Sequence, residues 1–80
     1  MPQPSDIANL RTAIRWYRSV RKLGDDWKIT VSDDSLEIAV TSPDGIRSRS
    51  ILWASRAIES QAIEFLDAEY ESWEIRVKRT

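Results

Sequence analysis

The sequence predicts an α+β fold: a two-layer sandwich in which two helices pack on one face of a mostly antiparallel four-stranded sheet, in the order αβββαβ. Three observations predict it. Residues 7–23 and 54–71 lack glycine and proline and repeat apolar side chains every three or four positions, the spacing of one helical face. Between these stretches, and again after the second, apolar and polar residues alternate, the period of a half-buried strand. Turn-forming residues separate the first four segments, at Gly24, Asp33-Asp34 and Pro43-Asp44-Gly45.

Residues 1–6 hold two prolines and form a leader, with Ser5 or Asp6 placed to cap the helix that follows; residues 7–80 form one domain. In helix one, Ile7, Leu10, Ile14, Tyr17 and Val20 share a face that Ala13, Trp16 and Leu23 widen, and Gly24 ends the helix in the left-handed conformation. Trp27, Ile29 and Val31, then Leu36, Ile38 and Val40, point inward from two strands joined through Ser32-Asp33-Asp34-Ser35. Ser42-Pro43-Asp44-Gly45 turns the chain into a third strand, Ile46 to Leu52, with Arg47, Arg49 and Ile51 on one face, the pattern of an edge strand with room for a bulge. Helix two uses Ala57, Ile58, Ala62, Phe65 and Leu66 as its apolar face. Ser72 breaks it, and Trp73, Ile75 and Val77 alternate as a fourth strand.

A chain of 80 residues buries only about 60–65% of the surface it exposes when unfolded, so its core leans on large side chains. Trp16, Trp27, Trp53 and Trp73 are assigned to it, with exposure of Trp53 where strand three enters helix two as the alternative. Cysteine and histidine are both absent, which excludes disulfides, a thiol nucleophile, a histidine-based triad and a Cys/His zinc site. Asp25-Asp26 and Asp33-Asp34 lack EF-hand spacing and sit where turns need them; no G-x-G-x-x-G or Walker loop occurs. The expectation is a protein that is not an enzyme and uses no cofactor and no metal. With no signal-like start and no run of apolar residues about 18 long, it is expected in the cytoplasm, with no membrane partner.

The formal net charge of −1 conceals segregation: residues 7–24 carry five positive charges and no negative one, while 54–74 carry six acids against Arg56 alone. Arg11, Arg15, Arg18 and Lys22 fall within about 60° of one another on helix one, a cationic ridge beside its apolar face. With Trp16 and Tyr17 they form the predicted partner-binding surface, since Trp, Tyr and Arg are enriched at interaction hot spots. The acids of helix two offer the competing use of that ridge, an interhelical ion-pair layer. Arg47 and Arg49 form a secondary basic patch, joined on strand faces by Lys28, Arg76 and Lys78; the competing use of these cations is to guard exposed strands against edge-to-edge pairing. The function expected is a small protein-interaction module, an inhibitor or regulator acting by surface complementarity as monomer or homodimer. The alternative is a nucleic-acid binder that uses the arginine ridge.

The order α-β-β-β-α resembles that of double-stranded RNA-binding domains, and Pro43-Asp44-Gly45 ahead of a strand and helix is similar to the three-stranded DNA-binding modules of integrases. The RNA-binding family opens its second helix with a lysine-rich phosphate clamp. Here that run is Trp53-Ala54-Ser55-Arg56-Ala57 and the helix beyond is acidic, so the sequence assigns no family. In size and composition the chain also resembles phage-encoded inhibitors of host defence.

Overall fold

The computed structural model describes residues 4–32, 35–53 and 57–78. Helix α1 (Pro4–Arg21) starts inside the segment expected to be a leader, because proline is tolerated in a first turn that leaves its N–H positions unpaired anyway. Asp6 lies in that turn, on the favourable side of the helix dipole. At the other end Leu23 donates its N–H to the Arg18 carbonyl at 2.9 Å and Lys22 donates to Ser19 at 3.3 Å, the paired bonds of a Schellman cap. The left-handed residue of that cap is Lys22, with φ of 55°, and not Gly24 as expected. The half-buried Leu23 packs on the core and fixes the exit of the chain, so the cap falls where Leu23 requires it.

Strands β1 (Lys28–Val31), β2 (Glu37–Thr41) and β3 (Arg47–Ile51) form an antiparallel sheet in the order β1-β2-β3. Ile29 lies opposite Val40, and Val40 opposite Ser48, so one face collects Ile29, Val31, Ile38, Val40, Ser48 and Ser50. The turn expected at Asp33-Asp34 lies outside the described residues. Between β2 and β3, Gly45 donates to the Ser42 carbonyl and Ser42 to that of Ile46, while Gly45 takes φ of 87°. That is a three-residue hairpin loop closed by a glycine bulge, so the irregularity expected in the third strand sits in the turn, and β3 pairs continuously with β2.

The fourth strand does not form. Helix α2 runs without a break over Ile58–Lys78, giving the order αβββα with a three-stranded sheet. Trp73 and Val77 are four apart, and Trp73 also continues the helical series Leu66, Tyr70, so the alternation at 73–77 fits a helix as well as a strand. Ser72 alone does not stop a helix, and Ile75 and Val77 end exposed on α2 despite their strand preference. Arg76 and Lys78 accordingly belong to a helix and not to the sheet.

The core joins Leu10, Ala13, Ile14 and Tyr17 of α1, Ile38 and Val40 of β2, and Ile58, Ala62 and Leu66 of α2, closed by Trp27, Leu36 and Leu52. The two alanines let the helices approach closely, and each fully buried aliphatic side chain contributes about 1.5–3 kcal/mol. Of the four tryptophans assigned to this core, Trp27 is 5% exposed and Trp73 is half-buried, packed edge-on against Trp27 with centroids 5.4 Å apart. Trp16 and Trp53 are 54% and 69% exposed. Each has a physical reason: Trp16 lies about 100° around α1 from Tyr17, which takes the buried position, and Trp53 follows Leu52, whose own burial turns its neighbours outward.

Candidate docking face

Both helices leave one side of the sheet uncovered. Lys28 and Thr30 of β1, Ala39 and Thr41 of β2, and Arg47 and Arg49 of β3 line a shallow depression of about 750 Å³ on that side. The register aligns them in rows: Lys28, Thr41 and Arg47 in one, Thr30, Ala39 and Arg49 in the next. A small residue in the middle of a row lies between long cations or threonines at the edges, which makes the face concave. Beside it, Glu37, Arg49, Ser50 and Ile51 line a second recess of about 380 Å³.

The strongest feature of this face follows β3. Exposed positions alternate through Arg47, Arg49, Ile51 and Trp53, while Ser48 and Ser50 are half-buried and Leu52 is buried. Ile51 is 70% exposed, more than any other large apolar side chain among the described residues. The backbone beneath is held on its inner side. Ser48 donates to Glu69 Oε2 of α2 at 2.9 Å. Gln61 of α2 grips Trp53 twice, its Oε1 accepting the Trp53 N–H at 2.8 Å and its Nε2 donating to the Trp53 carbonyl at 2.8 Å. Arg49 reaches Glu37 at 3.5 Å, a long contact in which the guanidinium stays largely in water.

The preceding hairpin is tied down as well. Arg76 Nε donates to Asp44 Oδ2 at 2.6 Å, and its Nη2 donates to Asp44 Oδ1 and to Ser42 Oγ at 3.1 Å. Ser42 in turn donates its hydroxyl to Asp44. Arg76 and the Ser42 hydroxyl hold the Asp44 carboxyl well below the usual carboxylate range, and the ion pair raises the Arg76 guanidinium further. Both ends of the β3 row are thus fixed to α2.

The ridge expected on α1 meets a different environment. Arg18 is turned back on its own chain, donating to the Trp27 carbonyl at 3.0 Å and the Gly24 carbonyl at 3.1 Å, where it closes the loop between α1 and β1. Tyr17 is 3% exposed, and its hydroxyl donates to Asp67 Oδ1 at 2.7 Å. Burial, and then the bond to Asp67, push the Tyr17 hydroxyl up to about 12. Arg21, outside the expected set, donates to the same Asp67 oxygen at 2.8 Å and lies 5.0 Å from the centre of the Tyr70 ring. The Tyr17 hydroxyl and the Arg21 guanidinium hold Asp67 below its ordinary value. The acids of α2 therefore do meet α1, through Asp67 at Arg21. Arg11, Arg15, Lys22 and Trp16 remain exposed along α1.

The alternation in the sequence puts Arg47, Arg49 and Ile51 on one face but does not join Trp53 to it: of the two expectations for Trp53, core or exposed at the junction with helix two, the structure takes the exposed one. The available signal was parity: Trp53 is two residues beyond Ile51 and four beyond Arg49, on the same side of an extended chain. Among the described residues, no group of three or more acids could hold a metal ion, and no helix is long and apolar enough to cross a membrane. Comparison with protein-family models, with curated proteins and with solved structures finds no match.

Proposed function

We propose that this chain is a non-enzymatic protein-interaction module, an inhibitor or regulator that engages a partner protein by surface complementarity. The observation that carries the reading is the row Arg47, Arg49, Ile51 and Trp53, exposed at alternate positions along β3 and the two residues after it, a segment whose two ends are fixed to α2. Arginine and tryptophan dominate interaction hot spots because one side chain supplies large contact area together with directional donors. Holding the backbone in advance reduces the ordering cost of association. Exposed Ile51 beside them favours a protein partner, since apolar surface of this kind gains nothing from a phosphate backbone.

A second reading, nucleic-acid binding, draws on the exposed Arg11, Arg15 and Lys22 of α1 with Lys28, Arg47 and Arg49 of the sheet. The net charge of −1 disfavours it, because the long-range field that gathers polyanions is missing. Selection from a displayed peptide library on the wild-type protein, counter-selected on an Arg47→Glu, Arg49→Glu, Trp53→Ala variant, tests the proposal. Ligands that need the intact row support it. It falls if no ligand distinguishes the two proteins while mixed oligonucleotides bind with a steep salt dependence, losing about tenfold or more between 50 and 200 mM salt.

A further inference from the structure

We infer that the open edge of β3 takes an extended, acidic segment of a partner protein as a fourth, antiparallel strand; this rests on the docking-face reading above. The phase of the hydrogen bonds fixes which backbone groups are open. Ser42 donates to the Ile46 carbonyl and Leu52 to the Leu36 carbonyl, so the even-numbered residues of β3, Ser48 and Ser50 included, exchange bonds with β2. Arg47, Arg49 and Ile51 therefore turn both N–H and C=O away from β2, toward an edge with no neighbouring strand among the described residues. At Trp53 the same edge is already closed, because the Gln61 amide stands where a further strand would place its peptide group. That closure marks one end of the site.

The residues with open backbone groups are the ones with exposed side chains. A strand added here meets peptide donors and acceptors and, on the outer face, two guanidiniums followed by an isoleucine. Directly opposite side chains in an antiparallel pair lie about 4.5–5.5 Å apart, so carboxylates opposite Arg47 and Arg49 and an aliphatic residue opposite Ile51 complete the match. The contact of the exposed Arg49 to the half-buried Glu37, at 3.5 Å, yields readily to a better-placed acid. The β1 edge lacks this combination. Ser32 donates to the Glu37 carbonyl, so the groups left over on β1 belong to Ile29 and Val31, whose side chains pack on the core.

A second copy of β3 fits the edge poorly. Two-fold antiparallel pairing sets Arg49 against itself or Arg47 against Arg49, and like charges directly opposite destabilise a sheet. The registers that avoid this pair Arg47 or Arg49 with Trp53, where Gln61 already occupies the edge.

The test uses the full chain, labelled with ¹⁵N, and the capped peptide Ile-Thr-Glu-Thr-Glu-Thr, which sets Ile opposite Ile51 and the glutamates opposite Arg49 and Arg47. Addition of the peptide is expected to shift the amides of Arg47, Arg49 and Ile51 most. N-methylation of the two glutamate amides is expected to weaken binding about tenfold or more, and N-methylation of the threonines about twofold or less. A lysine-for-glutamate peptide should not bind. Failure of the acidic peptide to bind, or equal affinity for both N-methylated forms, overturns the edge inference. In the second case, continued dependence on Arg47 and Arg49, read by the same titration of an Arg47→Glu, Arg49→Glu variant, leaves the docking-face reading standing. Loss of that dependence as well, or tighter binding of a single-stranded oligonucleotide to the same amides, overturns both.

Discussion

The outward row of β3 and the cationic ridge of α1 are made of the same residue types, arginines beside aromatic rings, yet the fold uses them differently. On α1, Arg18 satisfies two carbonyls of the following loop, and Tyr17 is buried with its hydroxyl on Asp67. Trp16 is exposed but lies about 100° around the helix from Arg15, so aromatic and cation face different ways. The arginines and Ile51 of β3, and Trp53 two residues beyond it, stand at alternate positions, and the bonds that hold this segment come from its inner side and its ends. Residue types set what a segment can contact. The unmet hydrogen bonds of its own surroundings decide what it has left for a partner.

The comparison breaks most sharply at its tryptophans. Trp27→Ala should cost about 3–5 kcal/mol in urea unfolding, because the ring is 5% exposed, stacks on Tyr70 and meets Trp73 edge-on. Trp53→Ala should stay within about 0.5 kcal/mol of wild type while weakening partner binding about tenfold or more. Equal destabilisation by the two would make Trp53 structural and remove it from the docking face.

Among the arginines of α1, Arg18→Ala should destabilise by about 1–2 kcal/mol, since two carbonyls lose a charged donor, whereas Arg15→Ala should fall within about 0.5 kcal/mol. Matching values would mean that the ridge acts as a unit and that Arg18 is not distinguished by its loop bonds.

The two left-handed residues sharpen the comparison of loops. Gly45→Ala should lose about 1 kcal/mol, the cost of a side chain at φ of 87°. Lys22→Gly should gain about 0.5–1 kcal/mol, because a glycine relieves the same cost at the α1 cap. Thermal unfolding of the pair reads both signs.

The smallest effects come with pH. Asp67 and Asp44 are held below the ordinary carboxylate value in the fold, so the unfolded chain binds protons first. Their contribution is present above about pH 4 and lost as pH falls through the folded values. Asp67→Asn should flatten that acid limb. Tyr17 acts at the other extreme: its hydroxyl is raised to about 12, so its contribution is present below the unfolded value of 10.0 and lost as pH rises toward 12. Absorbance titration of the wild type against Tyr17→Phe checks it.

Much of the fold was legible because burial and period agree in it. Ile38 and Val40 alternate with Glu37, Ala39 and Thr41, Leu10, Ile14 and Tyr17 recur at helical spacing, and these five apolar residues are buried. The end of α2 was not, because six residues cannot separate a strand from a helix when spacings of two and four share members, as at Trp73, Ile75 and Val77. The left-handed cap at Lys22 was hidden for a different reason: it depends on where Leu23 packs, a tertiary fact. Of the candidate site, the face shared by Arg47, Arg49 and Ile51 was visible in the alternation. Its extension to Trp53 was masked by the ordinary preference of tryptophan for interiors, and the engagement of Arg18 by the absence of any sequence mark for a side chain that bonds to a loop.

Fluorescence anisotropy of a peptide selected on the wild-type protein, measured against two charge-reversed variants of equal net charge, tests the central claim most directly. Arg47→Glu with Arg49→Glu is expected to weaken binding by about a hundredfold, while Arg11→Glu with Arg15→Glu changes it by about threefold or less. The reverse order, with the α1 variant losing the ligand and the β3 variant retaining it, would contradict the assignment of β3 as the docking strand.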